Sequence, residues 1–253
     1  MPAQRQCEFR FYEELNGFLA PALRRRSFAH AFDDTPAVKD RIESLGVPHT
    51  EVDLILVDGE PASFSRRLRG GERVAVYPMF ECFDVSGLGG LRPRPLREPR
   101  FVLDVHLGRL AHYLRLLGFD CLYRNDYRDE DLLAIAREDH RTVLSRDTGL
   151  LKRAELTHGA FVHASDPRRQ LREVIDRFQL ESRIAPFTRC ARCNGEVAHV
   201  PAEEAEEAPA AVARDGTEFS RCRGCGQLYW RGSHPARLRE RLAEVGVDLG
   251  AGQ

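Results

Sequence analysis

Aspartates stand wherever a predicted strand gives way to a predicted helix. Asp104 closes the apolar run of "FVLDVHLGRL", Asp126 and Asp129 both follow the strand "DCLYR", Asp129 opening "DEDLLAIARED", Asp147 ends "TVLSRD", and Asp166 ends "FVHASD" just before Pro167. Aspartate is a favoured helix N-cap, so each residue taken alone reads as a cap. Taken together they read differently, because the carboxyl ends of the strands in an open α/β sheet form one edge, and ligands bind there. Carboxylates gathered at that edge repel one another unless a cation lies among them, and hard oxygen donors select Mg2+ or Mn2+. One or two such ions can activate water and stabilise both oxygens of a phosphodiester displacement. Capping and ligation can coexist, and both readings stand at this point. Arg109, on the polar side of the helix after Asp104, and Arg146, beside Asp147, are placed to hold backbone phosphates. Arg115 reads as part of a solvated helix face.

A second group of residues is more specific. Four of the seven cysteines form two Cys-x-x-Cys pairs, Cys190 with Cys193 and Cys222 with Cys225. Two such knuckles supply four thiolates, the donor set of a closed tetrahedral zinc site. A redox Cys-x-x-Cys comes as one pair beside a helix. Cys7, Cys82 and Cys121 are scattered, so the pattern fits a metal site in a reducing compartment better than a disulfide framework. The second pair runs into "LYWRGSHPARLRERL", where Trp230, Arg231 and His234 are candidates for stacking on a base or holding a phosphate. The alternative is that Tyr229 and Trp230 pack the cysteine module onto its neighbour.

The elements that must position these groups follow from pattern. Residues 1–85 read as a small α+β unit. "CEFRFY" alternates like a strand, and "TPAVKDRIESLG" reads as a helix with Thr35 as N-cap, Pro36 at its first position and Gly46 as its stop. "EVDLILVDGEP" reads as a strand entering an Asp58-Gly59 turn, and "GGERVAVYP" as a final strand. Residues 86–99, rich in Gly, Pro and Arg, read as a linker. Residues 100–185 alternate strand and helix, which predicts a parallel sheet covered by helices. In that stretch Leu107, Leu110, Leu114 and Leu117 share one helix face that stops at Gly118, and Asp129 is placed to cap the next helix. Residues 186–240 carry the cysteine pairs, with an acidic, Ala/Pro-rich loop between them.

Composition narrows the class. Of the 253 residues, 42% are hydrophobic and 30% charged, as in a soluble protein with a real core. The net charge of −1 gives no whole-molecule argument about nucleic acid. No apolar run has signal-peptide or membrane-spanning character, so the expected location is the cytoplasm. There is no phosphate-binding Walker loop, no dinucleotide-binding glycine pattern and no nucleophile-elbow serine.

"FVLDVHLGRLAHYLRLLGFDCLYRND", "DEDLLAIARED", "TVLSRDTGLLKRA" and "RCARCNG…SRCRGCGQLYWRGSH" together resemble a PIN-like ribonuclease family named after the C-terminal region of a mutator-class exonuclease (Mut-seven-C). The segment holding "VKDRIESLGVPHTEVDLILVDGEP" and "RVAVYP" resembles the ubiquitin-like β-grasp domain that often precedes it. The resemblance implies an α/β fold, with a parallel-sheet PIN-like domain, an N-terminal α+β β-grasp domain and a C-terminal zinc ribbon. It also implies a metal-dependent ribonuclease with Asp104, Asp129, Asp147 and Asp166 as the acidic set, catalytic Mg2+ or Mn2+, structural Zn2+, RNA as substrate and a protein partner for the β-grasp domain. The alternative is a non-catalytic RNA- or protein-binding adaptor in which the acids are only caps.

Overall fold

The computed structural model describes residues 5–78, 91, 98–205, 208, 218–230 and 243. The N-terminal elements are β1 (Arg5–Phe11), β2 (Phe28–Phe32), α1 (Val38–Ser44), β3 (Val52–Val57), β4 (Glu60–Pro61) and β5 (Arg73–Pro78). The middle elements are β6 (Arg100–Leu103), α2 (Gly108–Leu116), β7 (Asp120–Leu122), α3 (Asp129–Glu138), β8 (Thr142–Ser145), α4 (Thr148–Leu151), β9 (Gly159–Phe161) and α5 (Pro167–Arg177). β10 (Val197–Val200), β11 (Phe219–Cys222) and β12 (Leu228–Trp230) follow. The chain forms two compact units, Met1–Arg97 with Leu133–Phe161, and Glu98–Leu132 with Val162–Gln253. Among the described residues no helix is long and apolar enough to cross a membrane.

The first unit contains a five-stranded sheet in the order β2-β1-β5-β3-β4. β1 and β5 run parallel at its centre and the outer pairings are antiparallel, which is the β-grasp arrangement. The alternation in β1 buries Cys7, Phe9 and Phe11 on one face. Val38 and Ile42 of α1 join them in a core with Ile55, Val57, Val74 and Val76. Asp58 (φ 52°) and Gly59 (φ 88°) form the turn expected between β3 and β4. Gly46 stops α1 at φ 107°, and a Cβ there would lie 2.8 Å from the Phe18 carbonyl oxygen.

Two sequence expectations need correction. α1 starts at Val38, not at Pro36, so Thr35 is not its cap; the Asp40 carboxylate instead takes the Ala37 N–H at 3.2 Å. β2 was not anticipated: "FAHAF" is short and alanine-rich and has little strand signal until β1 lies beside it. The expected linker lies outside the described residues except Leu91, Glu98 and Pro99. Leu91 packs on the core and donates its N–H to the Asp53 carbonyl.

Glu72 ties the N-terminal sheet together. Its carboxylate accepts from the N–H groups of Arg69 (2.8 Å) and Gly70 (2.7 Å) and from the Cys7 thiol (3.1 Å). Burial alone would raise the Glu72 pKa, but these donors hold it below the ordinary carboxylate value of 4.5. Burial and the Glu72 carboxylate push the Cys7 thiol up to about 11, so it stays a donor at neutral pH. A carboxylate with a depressed pKa in the folded state stabilises the fold above its unfolded value, and that stability is lost as pH falls through the folded value. The stability of this unit should therefore fall below pH 4.5. Glu72→Ala should cost about 2–3 kcal/mol at pH 7 and flatten that acid limb in chemical denaturation measured from pH 7 to 3. An unchanged acid limb would remove Glu72 as its source.

The strands of the middle segment pair in parallel, as expected. β6 pairs with β7 in the register Phe101↔Cys121, and β8 with β9 in the register Leu144↔Ala160. Leu107, Leu110, Leu114 and Leu117 are all buried, and Gly118 ends the helix at φ 93°. β10, β11 and β12 form a separate antiparallel sheet. The acidic loop is only partly described: Ala202–Glu204 make a 3-10 turn, and Ala205 joins a small core with Phe219 and Leu228.

Candidate functional site: strand-end carboxylates and a four-cysteine metal centre

Asp104 follows three fully buried residues of β6, and the chain then turns through a 3-10 segment at Val105–Leu107. Two features fix that turn. The Leu107 N–H bonds back to the Asp104 carbonyl at 2.9 Å, and the Tyr123 hydroxyl donates to the Val105 carbonyl at 3.0 Å. A Cβ at Gly108 would sit 2.6 Å from the Tyr123 hydroxyl, so any larger residue there would displace that ring. Asp104 occupies the N-cap position of the turn, yet its side chain makes no capping hydrogen bond. It is 8% exposed. A buried carboxylate costs free energy unless something holds it, and capping is not what holds this one.

The other aspartates differ. Asp147 follows β8 and caps α4, its Oδ1 accepting the Gly149 N–H at 2.7 Å. Its own N–H donates to the hydroxyl of fully buried Ser145 at 2.9 Å. Sequence reasoning missed Ser145; the available signal was a hydroxyl residue two positions before the acid. Asp166 caps α5 and accepts from Arg168 and Arg169, both at 3.1 Å. Asp129 is exposed and is the first residue of α3, so it is not the cap expected for that helix. Asp131 reaches back instead, to the Arg128 N–H at 2.9 Å. Asp126 forms a two-pronged pair with Arg124 at 2.9 and 2.7 Å. Arg109 and Arg146 are exposed. A capping carboxylate keeps lone pairs free for other donors or ions, so capping at Asp147 and Asp166 is compatible with ligation. Asp104, Asp129 and Asp166 belong to one compact unit, and no three of their oxygens come within 4.8 Å of one another.

The cysteines do converge. Among the described residues, the Sγ atoms of Cys190, Cys193, Cys222 and Cys225 form the group whose donor atoms all lie within 4.8 Å. Cys190 and Cys225 are 3.7 Å apart and Cys193 and Cys222 3.4 Å. Tetrahedral zinc with bonds of about 2.3 Å requires sulfurs about 3.8 Å apart. The knuckles turn as the sequence requires, with Asn194 at φ 70° and Gly226 at φ 73°. A Cβ on Gly195 would meet the Cys222 sulfur at 2.9 Å. Backbone N–H groups of Gly195 and Gly224 point at the sulfurs of Cys193 and Cys222, at 3.4 and 3.3 Å. Burial opposes ionisation of Cys190, but the Tyr229 hydroxyl (3.1 Å away) and nearby N–H groups hold its thiol down at about 6. Desolvation and the surrounding sulfurs push Cys193 the other way, up to about 12. One thiolate forms readily here and a full set of four needs a cation among them, for which a four-sulfur donor set favours zinc.

Arg115 is not the solvated residue expected. It is 6% exposed, and its guanidinium donates to the carbonyls of Cys121 (2.8 Å), Ala191 (3.4 Å) and Arg192 (3.2 Å). Asn194 completes this join. Its side-chain oxygen accepts the Cys121 N–H at 2.9 Å, and its amide donates to Asp120 at 2.7 Å. The first knuckle is thus keyed to both backbone groups of Cys121 in β7. Trp230 is half-buried and packs on the cysteine module's own small core of Ala205, Phe219 and Leu228, whereas the packing alternative set it against the neighbouring domain. Arg231 and His234 lie outside the described residues.

Residues 99–242 match the family model described as the Mut7-C RNAse domain, and residues 4–84 match the one described as Mut7-C ubiquitin. No curated protein and no solved structure matches the chain. The first match covers more than half of the sequence and runs from β6, with Asp104 at its end, through both cysteine pairs. The chain therefore belongs to the Mut7-C RNAse domain family and carries a Mut7-C ubiquitin domain ahead of that region.

Proposed function

We propose that this protein is a PIN-like, metal-dependent ribonuclease that hydrolyses RNA phosphodiester bonds at a site built from Asp104, Asp129 and Asp147, with Asp166 as an outer acid. The observation that carries the reading is Asp104. It is a buried carboxylate at the carboxyl end of β6 that does not cap the turn it precedes, in a chain of an RNase domain family. Hard carboxylate oxygens suit Mg2+ or Mn2+. Such an ion, when bound, supplies Lewis-acid stabilisation of phosphoryl oxygens and a lowered pKa for attacking water.

The chain's own residues do the rest. Asp104 and Asp147 are held by fixed turns, one pinned by Tyr123 and the other by Ser145, so their carboxylates are preorganised before substrate arrives. Arg109, on the helix that follows Asp104, and Arg146, which adjoins Asp147, are both exposed and hold backbone phosphates. The zinc-loaded ribbon adds surface for RNA. The ubiquitin-like domain offers a surface for a protein partner. The test is cleavage of end-labelled RNA by the purified protein with Mn2+, with Mg2+ and with a chelator. Metal-dependent shortening of the RNA supports the reading. Intact RNA under all metal conditions, across single-stranded and structured substrates, contradicts it.

A further inference from the structure

His49, Thr50 and Glu51 are three consecutive polar residues, and all are buried, at 9%, 1% and 0% exposure. Such a run inside a small domain is costly unless every group is satisfied. None of the three uses its side chain to cap the 3-10 turn it forms. Each instead reaches a backbone group more than a hundred positions away in the same compact unit. His49 Nε2 lies 3.0 Å from the Leu156 carbonyl, and its Nδ1 lies 2.7 Å from Glu43. The Thr50 hydroxyl donates to the Leu151 carbonyl at 3.2 Å. The Glu51 carboxylate accepts the Phe161 N–H at 2.6 Å. Lys152 answers from the other side, donating to the Glu43 carbonyl at 2.9 Å. The rings of Phe18 and Phe161 meet edge to face at 5.3 Å. Gly159 leaves room for the contact: a Cβ there would come within 2.9 Å of Leu151 and Leu156 and lie 3.5 Å from Thr50.

The segment on the receiving end cannot hold itself. α4 is a single turn of four residues, far below the length at which a helix is stable alone. Residues 152–158 contain no helix or strand. β9 has three residues and a strand neighbour, β8, on one side only. Yet this segment begins at the helix that Asp147 caps. The Leu151 carbonyl at the far end of that turn is the atom Thr50 holds.

We propose that the ubiquitin-like domain is a built-in brace of the nuclease fold, and that His49, Thr50 and Glu51 are positioning residues that order residues 148–161 and so fix Asp147. A domain kept only to recruit a partner needs no buried polar run aimed at the backbone of the catalytic region. The brace itself rests on the contacts above, whereas its consequence for turnover rests on the nuclease reading.

The experiment uses the full, zinc-loaded chain and two variants, Thr50→Val and Glu51→Ala. Thr50→Val keeps shape and removes one donor, so it decides the matter if Glu51→Ala does not fold. Hydrogen exchange of residues 148–161 should quicken about tenfold in each variant, the effect of one lost buried hydrogen bond. Exchange in β1 and β5 should not change. Unaltered exchange at 148–161 overturns the brace. In RNA cleavage, Thr50→Val should lower kcat about tenfold with little change in KM, and Thr50→Ser should restore it. A raised KM at unchanged kcat overturns the positioning role in favour of substrate binding. A wild-type protein that cleaves no RNA sinks the nuclease reading, and the exchange result then decides the brace alone.

Discussion

Asp104→Asn should lower the rate of RNA cleavage at saturating Mn2+ by about a thousandfold, which corresponds to about 4 kcal/mol of transition-state stabilisation. The change is nearly isosteric and removes only charge and one good oxygen ligand. Asp104 makes no capping hydrogen bond, so the turn it precedes, pinned by Tyr123, should survive. Folding should therefore be intact by circular dichroism and thermal melting. Equal cleavage by parent and variant would mean that Asp104 is not in the site. A variant that loses activity and stability together would make Asp104 a structural residue.

The second large effect concerns the cysteine quartet. The purified protein should contain one zinc per chain, and Cys222→Ser should remove it. Structural zinc stabilises its module by on the order of 10 kcal/mol, so β10–β12 should lose their order. The damage should also travel. Asn194 and the Arg115 contacts to Ala191 and Arg192 hang on the first knuckle, and both also hold Cys121 of β7. Exchange at the Cys121 N–H should therefore rise in the variant and in chelator-treated protein. A variant with a melting temperature like that of the parent would rule out a structural metal and turn attention to redox chemistry of the pairs. Loss of zinc with β7 unaffected would limit the metal's role to the ribbon.

What the sequence made legible was whatever a local rule decides. The leucine stripe of α2, the Asp58-Gly59 turn, Gly46 and Gly118 as stops and the four cysteines each follow from spacing or from a backbone angle that few residues adopt. What stayed hidden depends on groups brought from far away. Arg115 looks solvated on a helix wheel, and only the fold brings the carbonyls of Ala191 and Arg192 within reach. His49, Thr50 and Glu51 read as a polar loop because their acceptors and donors lie at Leu151, Leu156 and Phe161. The aspartates fall between these cases. Their placement at strand ends was readable, but Asp147 and Asp166 cap helices while Asp104 does not, and no spacing rule separates them. Asp129 shows the limit of cap rules at close quarters, since two residues later Asp131 takes the backbone N–H instead.

The central claim is that separated carboxylates share a divalent ion, and Mn2+ binding tests it without any assumption about substrate. Calorimetric titration of the zinc-loaded parent, Asp104→Asn and Asp147→Asn is the direct measurement. The account predicts saturable Mn2+ binding by the parent and affinity weakened at least about tenfold in each variant, with zinc content unchanged. Mn2+ binding of equal strength in all three proteins, or none in the parent, would contradict it.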